Sequence, residues 1–141
     1  MAKSDFNLGL PLAIVVLLSS IEVILIVLGI LPPILSYSPG NLLFSFAHLV
    51  VVAYAGTIVA KEGLKKSAMN GAVIAFAASF SICLLAFFCS SFFGVPVLGV
   101  RIAGIVPELL VFAIIIIENT LLGALAAAVV GWVSLMLGKG K

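Results

Sequence analysis

Four long apolar runs constrain this chain more than any other feature of its sequence. They cover approximately residues 8–31, 41–60, 70–93 and 107–137. A hydrocarbon core of ~30 Å takes about 20 helical residues to cross, because each residue adds ~1.5 Å. The first three runs match one crossing each. The fourth is about ten residues longer than an upright crossing needs, so it must tilt, project from the bilayer, or begin with a surface or re-entrant piece. Pro107 suits a first helical turn, where a missing backbone donor leaves no bond unmade. Two crossings would need ~40 residues, so this run counts as one. The expected fold is all-α: a polytopic four-transmembrane-helix bundle forming a single transmembrane domain over residues 1–141.

Composition excludes the soluble alternative. Hydrophobic residues make up 65% of the chain and charged residues 9%, whereas a soluble domain carries about 25% charged residues to keep its surface in water. The net charge of +2 is too small for a nucleic-acid footprint, and the basic groups do not line one face. Cys83 and Cys89 stand six residues apart in one run. That spacing does not stack side chains on a helix, so no internal disulfide is expected.

The charges also set the threading. Lys3 and Asp5 precede the first span; Lys61, Glu62, Lys65 and Lys66 separate the second from the third; Lys139 and Lys141 follow the fourth. The first connection is uncharged, and the third carries only Arg101. All six lysines fall on one side of a four-span chain. The positive-inside tendency assigns that side, with both termini, to the cytoplasm of a multi-pass cell-membrane protein. A cleavable signal is the competing reading of the first run. That run exceeds the usual core of roughly 7–15 residues, lacks a clear cleavage site and contains Glu22.

Within lipid, helices associate through close packing and polar contacts. The third span carries Gly71, Ala75, Ser79 and Cys83 at steps of four, and the fourth carries Asn119, Gly123, Ala127 and Gly131. Gly56 and Ala60 add a shorter strip in the second span. These strips predict tight packing of the third and fourth spans, against each other or against a partner chain. The expected partners are membrane lipid and further membrane subunits, either copies of this chain or other proteins. Trp132 and Tyr37 are candidate interface anchors.

Glu22 is the most informative polar residue. It lies about 21 Å along the helix from Leu8, past the midplane, where a carboxyl must be protonated, paired or wetted. His48, about 18 Å from Ala60, falls at a matching depth, as does Cys83, about 20 Å from Asn70. The three form a candidate buried polar or transport site. One reading is a clamp between helices; the other is a proton or cation relay, with Glu22 exchanging the charge and His48 tuning it. Arg101, Glu108, Glu118 and Asn119 form a candidate outer polar patch. Counting back from Lys139 puts Glu118 and Asn119 about 30 Å up the last helix, near the outer boundary.

The sequence contains no HExxH, GxSxG, phosphate-binding glycine loop or paired-cysteine signature. Its single histidine is too few for a histidine-rich metal site. No catalytic, cofactor-binding or metal-binding residues are expected. Two functions remain. One is a noncatalytic scaffold or subunit of a membrane assembly; the other is a small oligomeric transporter or channel using Glu22 and His48. In span number, rough size and an acid in the first span, the chain resembles the small multidrug-resistance transporters. It shares no wider motif with them, and its lysine bias departs from the dual orientation of that family, so the chain is not assigned to it.

Overall fold

The computed structural model describes residues 8–99 and 105–138, and every regular element among them is helical. Four long helices follow one another: α1 (Gly9–Val27), α2 (Pro39–Ile58), α3 (Leu64–Phe93) and α4 (Ile105–Gly138). Short 3₁₀ turns at Ile34–Ser36 and Ala60–Glu62 lie in the first two connections. Each of the four is long and apolar enough to cross a membrane. The chain is thus a multi-pass integral membrane protein.

The helix ends follow local chemistry. Ser38 caps α2 by accepting from the Asn41 N–H at 3.2 Å, and Pro39 fills the first turn. Gly94 ends α3 in the left-handed conformation, φ 67°, while its N–H reaches back to the last turn. Gly29, at φ 73°, lies just past α1, so that helix stops short of the expected end near Leu31. α3 starts at Leu64 rather than near Asn70 and takes Lys65 and Lys66 into its first turn. α4 is one continuous helix with Pro107 in its first turn. A re-entrant start is therefore not formed. Its 34 residues reach about 50 Å, well beyond a ~30 Å core.

The connections define two ends of the bundle. At one end, the Asn41 Nδ2 donates to Pro32 O and Pro33 O at 3.0 and 2.9 Å. There the Ile34 N–H also donates to Val97 O at 2.9 Å, joining the first connection to the third. At the other end, Ser67 Oγ donates to Gly56 O at 2.9 Å across the α2–α3 turn. Lys61, Lys65 and Lys66 are exposed there.

Side-chain size determines what is inside. α2 and α3 touch each other, and each touches both α1 and α4, leaving α1 and α4 at far corners. One core half contains Val15, Val52, Ala55, Ile74, Ala75, Ala78 and Ala127. The other contains Val23, Ile26, Cys83, Ala86, Val97, Leu98 and Phe112. Many of the largest apolar groups instead face outward, including the stacked pairs Phe76–Phe80 and Phe88–Phe92 on α3. Lipid allows this inversion, because the outer surface has no water to avoid.

Small residues bring α2, α3 and α4 into backbone contact. A Cβ added at Gly56 would lie 2.5 Å from Ala127 O and 2.8 Å from Ala127 Cα. One added at Gly71 would strike Ala127 Cβ and lie 2.5 Å from Gly123 O. One added at Gly123 would strike Ala75 Cβ, and one at Gly131 would lie 2.7 Å from Ser67 Oγ. Ala60 and Ser79 are buried as well. Asn119, the fourth member of the α4 strip, is exposed. Steps of four residues rotate by about 40° each on a helix of 3.6 residues per turn, so three steps carry Asn119 about 120° around from Gly131.

Candidate functional site

The polar side chains of the middle of the bundle arise from three helices. On α1, Val15, Ser19, Glu22, Val23 and Ile26 are buried, a spacing that turns one face inward. Ser19 is fully buried, and its Oγ lies 2.8 Å from Val15 O, 3.0 Å from His48 Nε2 and 3.4 Å from Ala78 O. This hydroxyl joins α1 to both α2 and α3.

His48 is held at both ring nitrogens. Nδ1 lies 2.8 Å from Phe44 O, one turn back on α2. A carbonyl only accepts, so Nδ1 carries a proton and donates to it. In the neutral ring Nε2 then accepts from Ser19 Oγ. A doubly protonated ring would donate to Ser19 instead, freeing the serine proton for Val15 O.

Glu22 lies one turn further along α1, about 4.5 Å from Ser19 by helical rise. It is 2% exposed, and its Oε1 has no hydrogen-bond partner among the described residues. The structure therefore places Glu22 and His48 in adjacent turns without joining them: the imidazole bonds to Ser19. Cys83 is buried in the apolar cluster with Val23, Ile26 and Phe112, about a turn beyond the Ser19 layer on the same side as Glu22. It makes no polar contact with His48. An apolar groove of about 240 Å³ opens between α1 and α3, lined by residues including Val23, Val27, Leu85 and Cys89. Glu22 does not line it.

The residues of the expected outer patch separate. Arg101 lies outside the described residues. Glu108 is half-buried near the capped end, beside Ala86, Ser90 and Phe112. Glu118 and Asn119 are exposed on α4. Their depth differs from the boundary position expected from counting back from Lys139. Gly123 abuts Gly71 and Ala75, and five more residues carry α4 about 7.5 Å to Glu118. On the antiparallel α3 that rise leads to Ala78 and Ser79, the level of the Ser19–His48 bond. Counting misplaced the pair because α4 overshoots: Gly131 already abuts Ser67, near the start of α3.

Three polar residues that matter here were not candidates from the sequence: Ser19, Ser67 and Asn41. Ser19 had one legible signal, its position one turn from Glu22 on the same face. Among the described residues, no three histidine, cysteine or acidic side chains converge as a metal site.

Fold and polar layer together define a small all-helical polytopic membrane protein. Comparison with protein-family models, curated proteins and solved structures gives no match.

Proposed function

We propose that the protein is a noncatalytic scaffold or subunit of a membrane assembly. The observation that carries this reading is the use made of its interior. Glycine and alanine backbones interlock three helices, and the Ser19–His48 bond ties in the fourth. Ser19, His48 and Ser67 thereby serve helix contacts. The two termini share the lysine-rich side, and the positive-inside tendency makes that side cytoplasmic.

A second reading has its own support. The unpartnered Oε1 of Glu22 is the kind of intramembrane carboxyl that proton- or cation-coupled transporters use. In that reading Glu22 exchanges the charge, and the Ser19–His48 pair one turn away responds to it.

One experiment separates the two. The full chain is purified from its native membrane with any bound chains, and also reconstituted into vesicles containing a pH-sensitive dye. The scaffold reading expects Gly123→Leu to reduce recovery of the assembly, Glu22→Gln to leave it intact, and vesicles to show no flux above lipid alone. Proton-coupled flux abolished by Glu22→Gln would replace the scaffold reading with the transport one.

A further inference from the structure

One polar feature is used by neither the core nor the connections. Glu118 and Asn119 are exposed on α4, and neither side chain makes a hydrogen bond or ion pair among the described residues. They stand at the level of the Ser19–His48 bond. Glu108 lies ten residues away toward one end of the bundle, about 15 Å. On α3, Lys66 lies thirteen residues below Ser79, about 20 Å toward the other end. In a ~30 Å hydrocarbon core the pair therefore faces lipid near the centre, where no water can satisfy a carboxyl or a carboxamide.

The surrounding face is apolar and uncovered. Leu122, Leu125, Val129, Val133 and Met136 are exposed, and with Glu118 they follow one another at steps of three and four. That stripe lies about 80–160° around the helix from Gly123, on the side to which Asn119 turns. α4 is also the least enclosed of the long helices, with 11% of its apolar window buried against 22–33% in the other three.

We propose that this face is the interface between two copies of the chain. Asn119 Nδ2 of each copy donates to the Glu118 carboxyl of the other. The inference rests on the assembly role proposed above and names its partner. Donor and acceptor point about 100° apart on one helix and flank the line of contact, so a two-fold axis along that line satisfies both with no third group. The lysine asymmetry gives both copies the same orientation, so residues of equal depth meet. Steps of three and four suit a helix packed along a parallel partner. A different protein would have to supply its own polar pair at that depth, whereas a second copy carries one already.

The test uses the full chain in lipid vesicles, with Cys89 replaced by alanine and the buried Cys83 retained. Leu122→Cys, on the contact line, should give a disulfide-linked dimer on oxidation, while Leu84→Cys, on the outer face of α3, should not. Energy transfer between labelled copies, read on dilution with lipid, should show the double substitution Glu118→Leu and Asn119→Leu weakening dimerisation about 3- to 20-fold. Both substituted residues are exposed, so helicity should hold. A chain that is monomeric at every lipid ratio would overturn the proposal. If the native preparation then contains another protein that crosslinks to Leu122→Cys, the assembly role survives and only the second copy is refuted. A lone monomer with no co-purifying chain overturns both.

Discussion

Replacing Gly56 by alanine tests whether backbone contact between α2 and α4 holds the bundle together. The added Cβ would lie 2.5 Å from Ala127 O and 2.8 Å from both Cα and Cβ of Ala127. Carbon atoms at rest stand about 3.5–4.0 Å apart, so the two helices must part by roughly 1 Å. Backbone on one side and a residue with no torsional freedom on the other leave no cheaper escape. Overpacking of this kind costs about 1–3 kcal/mol. The better helix propensity of alanine returns up to ~1 kcal/mol. A net loss of about 1–2 kcal/mol follows, or a 5- to 30-fold fall in the folded-to-unfolded ratio. Gly138→Ala is the matched control, since nothing lies within 4 Å of its added Cβ. Reversible unfolding in mixed detergent–lipid micelles reads both. Adding Ala127→Gly to Gly56→Ala should restore part of the loss, because it removes the Cβ contact and leaves the carbonyl contact. Equal stability for Gly56→Ala and Gly138→Ala would refute the argument.

Two further outcomes follow from the polar contacts. Ser19→Ala and His48→Leu should each destabilise the bundle, and a double-mutant cycle should give a coupling of about 0.6–1.7 kcal/mol, the range for interhelical bonds in lipid; additive losses would mean that the 3.0 Å contact contributes nothing. Asn41→Leu should strip Pro32 O and Pro33 O of their shared donor and cost about 1–3 kcal/mol. Faster protease cleavage in the first connection would report it, and an unchanged cleavage rate would count against a structural role for Asn41.

The elements were legible because lipid imposes a length and a polarity that a sequence displays openly. Four runs became four helices, and the proline-rich and glycine-rich connections became their ends. Boundaries moved where a single residue decided them, as Gly29 does for α1 and the Gly63–Leu64 step does for α3. The small-residue strips of α3 and α4 were legible as patterns, since only small side chains let backbones meet. Their rotation was not legible, which is why Asn119 separates from Gly123, Ala127 and Gly131. Depth counted from a chain end fails when a helix overshoots its neighbours, and α4 does so beyond Gly131. The Glu22–His48 relation missed by one turn because it depends on a ring direction. His48 Nδ1 bonds to Phe44 O, which fixes the imidazole against Ser19, and no spacing rule encodes that bond.

The mid-height polar groups divide by whether the chain itself satisfies them. His48, Ser79 and Thr120 each bond to a carbonyl of their own helix, and the single Ser19 proton lies within reach of Val15 O, Ala78 O and His48 Nε2. Those bonds close the requirement of each group, so their placement is explained by folding alone. Glu22 and the Glu118–Asn119 pair are not closed in this way. In water an open carboxyl is unexceptional; in hydrocarbon it costs several kcal/mol unless something binds it. Glu22 is buried in the interior, where its Oε1 has no hydrogen-bond partner among the described residues. Glu118 and Asn119 are open toward lipid, where a second helix can reach them. The two sites therefore face different surroundings. Glu22→Gln alters what the interior can bind and leaves the outer face of α4 unchanged, whereas Asn119→Leu does the reverse. A protein whose association responds to the α4 pair and not to Glu22 is held together from outside, and its buried acid is then a separate device.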